Sequence, residues 1–225
     1  MTTSLDTQKA PVTRPAPVWK HMASGRIVDL ANLTADDIHW PDIVSALSGL
    51  ARYDAATSNC LYVVAQHSCL AHDNASGPPV ARLLALLHDA HEAFIGDITT
   101  PTNDFLDYLN TANGAVSFLD YPNGATGAVS MLIHVAKRRL DSAIFAAAGI
   151  HPDEAATYRP MIDALDARLL ATEVRDLCAE SEKPGAWGKL AEPLKTRIKP
   201  WGPDKAAEEF AARLALYGID GRGAG

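Results

Sequence analysis

The chain has 225 residues, 48% of them apolar and 21% charged, with a formal net charge of −7. That length and balance suit one sizeable domain with a real core, and the acidic balance argues against a nucleic-acid binder, which would carry a basic stripe. No run of about 18 apolar residues is present, so no membrane helix is expected.

Residues 1–21 are expected to be a disordered lead-in, rich in Thr, Pro and Ala near its start. They lack the continuous apolar stretch of a secretory signal. Residues 25–30 read as a short strand, with residues 38–40 as its partner. Pro41 suits a first helical turn, and Ile43, Ala46, Leu47 and Leu50 follow at helical spacing. A second helix is expected over residues 61–72. A third opens at Pro78-Pro79, runs through Leu83, Leu84, Leu87 and Phe94, and stops near Gly96. A fourth begins after Pro101. Asn113-Gly114 and Asn123-Gly124 mark a broken connection. Residues 129–149 read as helix, capped by Gly149. In that helix Lys137, Arg138 and Arg139 form the tight basic run of the chain, read as a solvated face. Residues 161–180 are strongly periodic, with Pro160 in the first turn. Residues 189–201 read as extended loop, and Pro203 opens a last helix that Gly218 closes. The expected architecture is an all-α bundle with at most a small N-terminal β-hairpin, one domain over residues 22–218, and a flexible tail over 219–225.

Cys60, Cys69 and Cys178 contain no C-x-x-C pair. They read as reduced thiols of a cytoplasmic protein, not as a zinc site or disulfide framework.

The chemistry concentrates in Leu86-Leu87-His88-Asp89-Ala90-His91-Glu92-Ala93. A nearly all-apolar helix here delivers four ionisable groups in five residues, and burying them is costly unless something pairs them. A divalent cation is the simplest partner. His67 follows the apolar run 62–65 on another helix, and Asp166 lies on a third core-facing stretch, with Asp163 as its rival one turn earlier. Three helices can thus supply His, His-Asp and Asp. This mixed N/O shell suits Mn, Co, Zn, Fe or Ni better than calcium. Glu92 lies four residues after His88, on the same helical face and about 5–6 Å away. There it can exchange a proton with water whose pKa the metal lowers. Asp97 follows Gly96 and reads as a turn former or as a catalytic or supporting group.

The ordered set resembles the HD-domain metal-dependent phosphohydrolases. His67, His88-Asp89 and Asp166 match their H…HD…D pattern. Gly25-Arg26-Ile27-Val28-Asp29, Arg52-Tyr53, Ala65-Gln66-His67-Ser68, Gly96-Asp97-Ile98 and Asp166-x-x-Leu169-Leu170-Ala171-Thr172-Glu173 also look like this family. The likeness covers roughly residues 22–218, and is nearest to the bacterial 5′-deoxynucleotidases and phage-type dATP triphosphohydrolases. It favours Asp166 over Asp163. It implies an HD-domain bundle, one transition-metal ion on His67, His88, Asp89 and Asp166, and catalysis by Glu92 and Asp97. Arg52 would hold substrate phosphate, with Tyr53 beside it. The implied substrate is a small nucleotide, a deoxynucleotide mono- or triphosphate; no nucleic-acid or membrane partner is expected, and a homo-oligomer is left open. The family often carries Gly-His shortly after the arginine, whereas this chain has Asp54-Ala55-Ala56, and its connection over residues 107–128 is longer. Two other functions were weighed. A di-iron HD-type oxygenase needs further histidines, for which His91, His134 and His151 are the candidates. A non-catalytic nucleotide-binding module would not need Glu92.

Overall fold

The computed structural model describes residues 16–112 and 127–221, except Asn59, Pro184 and Ala186; for residues 111 and 112 it describes the backbone alone. In chain order the elements are strands β1 (Trp19–His21) and β2 (Ile27–Asp29), then helices α1 (Trp40–Gly49), α2 (Val64–Asn74), α3 (Pro79–Leu87), α4 (Glu92–Ile95), α5 (Thr100–Ala112), α6 (Ala128–Ala147), α7 (Pro152–Leu177) and α8 (Pro203–Ala215). The fold is all-α with one small antiparallel hairpin.

The hairpin differs from the expected one. β2 pairs with β1, upstream of it, in the register Lys20 opposite Val28. Residues 38–40 instead lead into α1, because Asp42 recruits them. Its buried carboxylate accepts from Ser24 N and Ser24 Oγ, both at 2.7 Å, and pairs with His39 Nδ1 at 2.9 Å. The folded domain therefore starts by Trp19 rather than at residue 22. Its other end also extends further: Ile219 packs on the core and its N–H bonds Leu214 O.

Helix α2 is the centre of the bundle and packs against α1, α3, α7 and α8. It starts three residues later than the apolar run suggests. Val63 is held extended, bridged to Ala51, while Arg52 N–H bonds Tyr62 O at 2.9 Å. The long third helix breaks into α3 and α4. Between them the chain makes i→i+3 bonds, from Ala90 N to Leu87 O and from Glu92 N to Asp89 O, both at 3.0 Å. Helix α7 begins at Pro152, not after Pro160. His151 caps it by accepting from Asp153 N, and Glu154 answers the His151 N–H. That cap outweighs Pro160, which lies in the helix interior on its exposed side. The Asn-Gly connection falls outside the described residues. The loop before α8 is extended as expected, and Gln66 clamps it to α2: its side chain donates to Lys199 O and accepts from Trp201 N, both at 2.8 Å.

Among the described residues no helix is long and apolar enough to cross a membrane. Helix α8 closes the bundle over α1 and α2, with Phe210 fully buried. Phe210→Ala is expected to cost about 3–5 kcal/mol, read as a lower urea midpoint at unchanged slope. A loss below about 1 kcal/mol would make α8 an appendage rather than part of the core.

Candidate metal centre

His67 from the buried face of α2, His88 at the end of α3 and Asp89 in the turn after it form one group, and Asp166 from α7 reaches both rings. His67 Nε2 lies 3.1 Å from His88 Nε2, 3.4 Å from Asp89 Oδ2 and 3.2 Å from Asp166 Oδ1. His88 Nε2 lies 3.2 Å from Asp89 Oδ2 and 3.8 Å from Asp166 Oδ1. Ligands about 2.0–2.1 Å from a tetrahedral ion stand about 3.3–3.4 Å apart. The cluster has that size.

The ring nitrogens explain why a cation fits. His67 Nδ1 bonds the Glu173 carboxylate at 2.6 Å, and His88 Nδ1 bonds the Ala85 carbonyl at 2.8 Å. Both acceptors demand an N–H on Nδ1, so in the neutral rings the Nε2 lone pairs face each other. Two lone pairs at that distance repel unless a positive charge sits between them. Asp166 Oδ1 is likewise buried with no hydrogen bond. The residues fit a divalent ion, and outer partners of this kind fix the ligating tautomer. Without one, protons do part of that work. Burial would keep His88 neutral, but Asp89 and Asp166 raise its pKa well above the usual value. Burial opposes Asp89 ionisation, yet His88, His67 and Arg52 hold its carboxyl well below the ordinary range. Asp163, the alternative to Asp166, instead pairs with Arg159 on the surface at 2.7 Å.

Glu173 is the hub behind His67, and sequence reasoning missed its role. It is fully buried and accepts from His67 Nδ1, Tyr53 OH at 2.6 Å and Tyr62 OH at 2.9 Å, with Arg52 Nε at 3.4 Å. Burial would raise its pKa; Arg52 and His67 outweigh that and hold it at about 2. The signal was present as spacing: Asp166, Leu169 and Glu173 lie at i, i+3 and i+7 on one face of α7. Arg175, two residues further on, bonds Asp176 at 2.7 Å.

Arg52 and Tyr53 reach Glu173 from an unusual backbone. Tyr53, Asp54 and Ala55 have φ of 57°, 51° and 60°, three non-glycine residues in the left-handed region. Arg52 also bonds Asp89 Oδ2 at 3.2 Å through Nη1. The guanidinium therefore already serves two carboxylates, and the Tyr53 hydroxyl serves one. The Tyr53 ring stands edge-on to the half-exposed Trp187, with centroids 6.0 Å apart.

Glu92 is buried, and its Oε2 has no partner. It groups with Asp89 and His91 rather than with His88. The i→i+3 turn accounts for this, since it brings residues three apart into line. Burial, then the charges of Asp89 and Asp97, push the Glu92 carboxyl up to about 9. Asp97, part-buried, is also raised, by burial against the opposing pull of Arg52.

No protein-family model matches the chain. It is similar to an uncharacterized protein of Rhodobacter capsulatus, 40% identical over 89 residues; the match covers 37% of this chain and 45% of that one. The chain thus matches less than half the length of that relative.

Two measurements follow from this geometry. Glu173→Gln removes the charge that fixes the His67 tautomer, and metal affinity is expected to fall roughly 10–100-fold in a dialysis titration. Unchanged affinity would show that His67 is positioned without it. Ala55→Gly removes a Cβ from a left-handed residue, a conformation costing roughly 1–2 kcal/mol. After glycine's extra unfolded-state entropy, it is expected to stabilise by up to about 1 kcal/mol; a destabilised variant would mean that this turn is not strained.

Proposed function

We propose that this chain is a divalent-metal-dependent phosphohydrolase of the HD-domain type, acting on nucleotide phosphate esters and on deoxynucleotides in particular. The observation that carries the reading is the convergence of His67 Nε2, His88 Nε2, Asp89 Oδ2 and Asp166 Oδ1, with both imidazoles oriented as ligands. A transition metal such as Mn, Co, Zn, Fe or Ni suits that N/O set. When bound, such an ion supplies Lewis acidity and lowers the pKa of water.

The remaining steps belong to the protein. Glu92, buried beside Asp89, is a carboxyl that carries its proton near neutral pH and can deliver it to a departing oxygen. Asp97 shares that field and helps hold the proton there. Arg52 orients Asp89 through Nη1, and a phosphate at the site would meet the remaining face of its guanidinium. Tyr53 anchors the Arg52 turn to Glu173, and its ring borders Trp187, an exposed aromatic edge on which a base can rest. The di-iron oxygenase alternative draws less support: His134 is exposed and His151 caps α7, which leaves His91.

The test is phosphate release from deoxy- and ribonucleoside mono-, di- and triphosphates with Mn, Co, Zn and Mg. Turnover is expected with deoxynucleotides and a transition metal; no hydrolysis of any ester with any of these metals would refute the reading. Asp166→Ala and His88→Ala are expected to lose metal and activity together. Glu92→Gln is expected to keep the ion of the four-ligand site and lose roughly 10²–10⁴-fold in kcat; near-wild-type kcat would remove Glu92 from the chemistry. Arg52→Lys should lower kcat/KM by a similar factor for every base accepted, because the guanidinium serves the phosphate and Asp89. A loss confined to one base would assign Arg52 to base recognition.

A further inference from the structure

We propose that Asp89, His91 and Glu92 form a second divalent-cation site, adjoining the first and sharing Asp89 with it. The proposal rests on the four-ligand reading above, because Asp89 is the link. One ligand atom from each of the three residues lies within 4.8 Å of the others. His91 and Glu92 are each only 4% exposed, and each carries a buried polar atom, His91 Nε2 and Glu92 Oε2, with no hydrogen-bond partner. An orphaned buried acceptor is costly, and two in one three-residue cluster call for a shared partner.

The surroundings repeat the device seen at His67. Asp141 on α6 is buried and lies 2.9 Å from His91 Nδ1. A carboxylate in that place takes the Nδ1 proton and leaves Nε2 as an acceptor with nothing to accept. His67 stands in the same relation to Glu173, and such carboxylate–histidine pairs orient rings for metal binding. The donor set is one imidazole and two carboxylates, which suits Mn, Fe or Co and also tolerates Mg. Asp89 has two oxygens, so one can face each ion.

The second site is the weaker one. It has three protein ligands against four, and its shared carboxylate is already drawn towards the first ion and Arg52. Its occupation also excludes the other role of Glu92: a carboxylate bound to a cation no longer carries a proton.

Manganese alone is the probe. Equilibrium dialysis of the full chain against rising Mn2+, with metal counted by mass spectrometry, is expected to show two ions per chain in two steps. Electron paramagnetic resonance at the second step should show spin coupling between ions bridged by one carboxylate. His91→Ala is expected to bind one ion, uncoupled. Asp141→Asn leaves the ring in place and is expected to weaken the second step alone, by roughly tenfold or more. A single ion in the wild type at saturation would overturn this proposal and leave the four-ligand reading standing. So would two ions retained by both variants with unchanged affinity. No ion at all would overturn both readings.

Discussion

The bond between His67 Nδ1 and Glu173 Oε1 is the contact on which the rest of the site depends. It joins the central helix α2 to α7 inside the core, where a lone carboxylate would be too costly to keep ionised. Glu173 stays ionised because three donors and the Arg52 guanidinium surround it, and each is a separate structural commitment. Tyr62 fixes the entry to α2. Arg52 and Tyr53 fix the turn before it. His67 faces the metal site on its other nitrogen. A single buried charge thus sets the tautomer of one ligand and, through Arg52, the placement of Asp89 Oδ2.

The same charge accounts for the backbone strain nearby. Three successive left-handed residues would not persist in a free loop, because each costs roughly 1–2 kcal/mol. They persist here because Tyr53 OH and Arg52 Nε both converge on Glu173, Ala51 bridges to Val63, and Thr99 Oγ1 ties Asp54 down at 3.0 Å. Ala55 stands at such a position where glycine would be at ease.

Much of the scaffold was legible in the sequence, since α1, α5, α6 and α8 follow helical periodicity closely. The residues that cluster at the centre were conspicuous because ionisable groups on apolar helices are costly, although Asp166 was preferred to Asp163 by resemblance alone. Other features depended on competition between local signals and distant partners. Pro160 reads as a start only until His151 and Glu154 are seen to make a better one upstream. The run 78–96 reads as one helix, because nothing local announces the i→i+3 turn at its centre. That turn moved Glu92 from the side of His88 to that of Asp89. Asp141 was invisible as a site residue, since its partner His91 lies fifty positions away in sequence.

The charge inventory around the centre suits it to a cation. Asp89, Glu92, Asp97, Asp166 and Glu173 bring five carboxyl groups, against the guanidinium of Arg52 and the ammonium of Lys137, which acts on Glu92 and Asp97. That excess favours protons on its neighbours: against burial, the surrounding carboxylates raise the pKa of His67 and His88, and burial with Asp89 and Asp97 raises that of Glu92. A divalent ion held by His67, His88, Asp89 and Asp166 would supply a fixed double charge in their place. On the proposed function, an ion would also change what can approach. An anionic phosphate nearing these carboxylates, in a protein of net charge −7, would be repelled. With an ion in place the centre would be less negative, and Arg52 and Lys137 would add to its attraction for an anion. On that reading metal binding would favour substrate binding, because Arg52 is already engaged by Asp89 and Glu173 and the ion would add the charge that they offset.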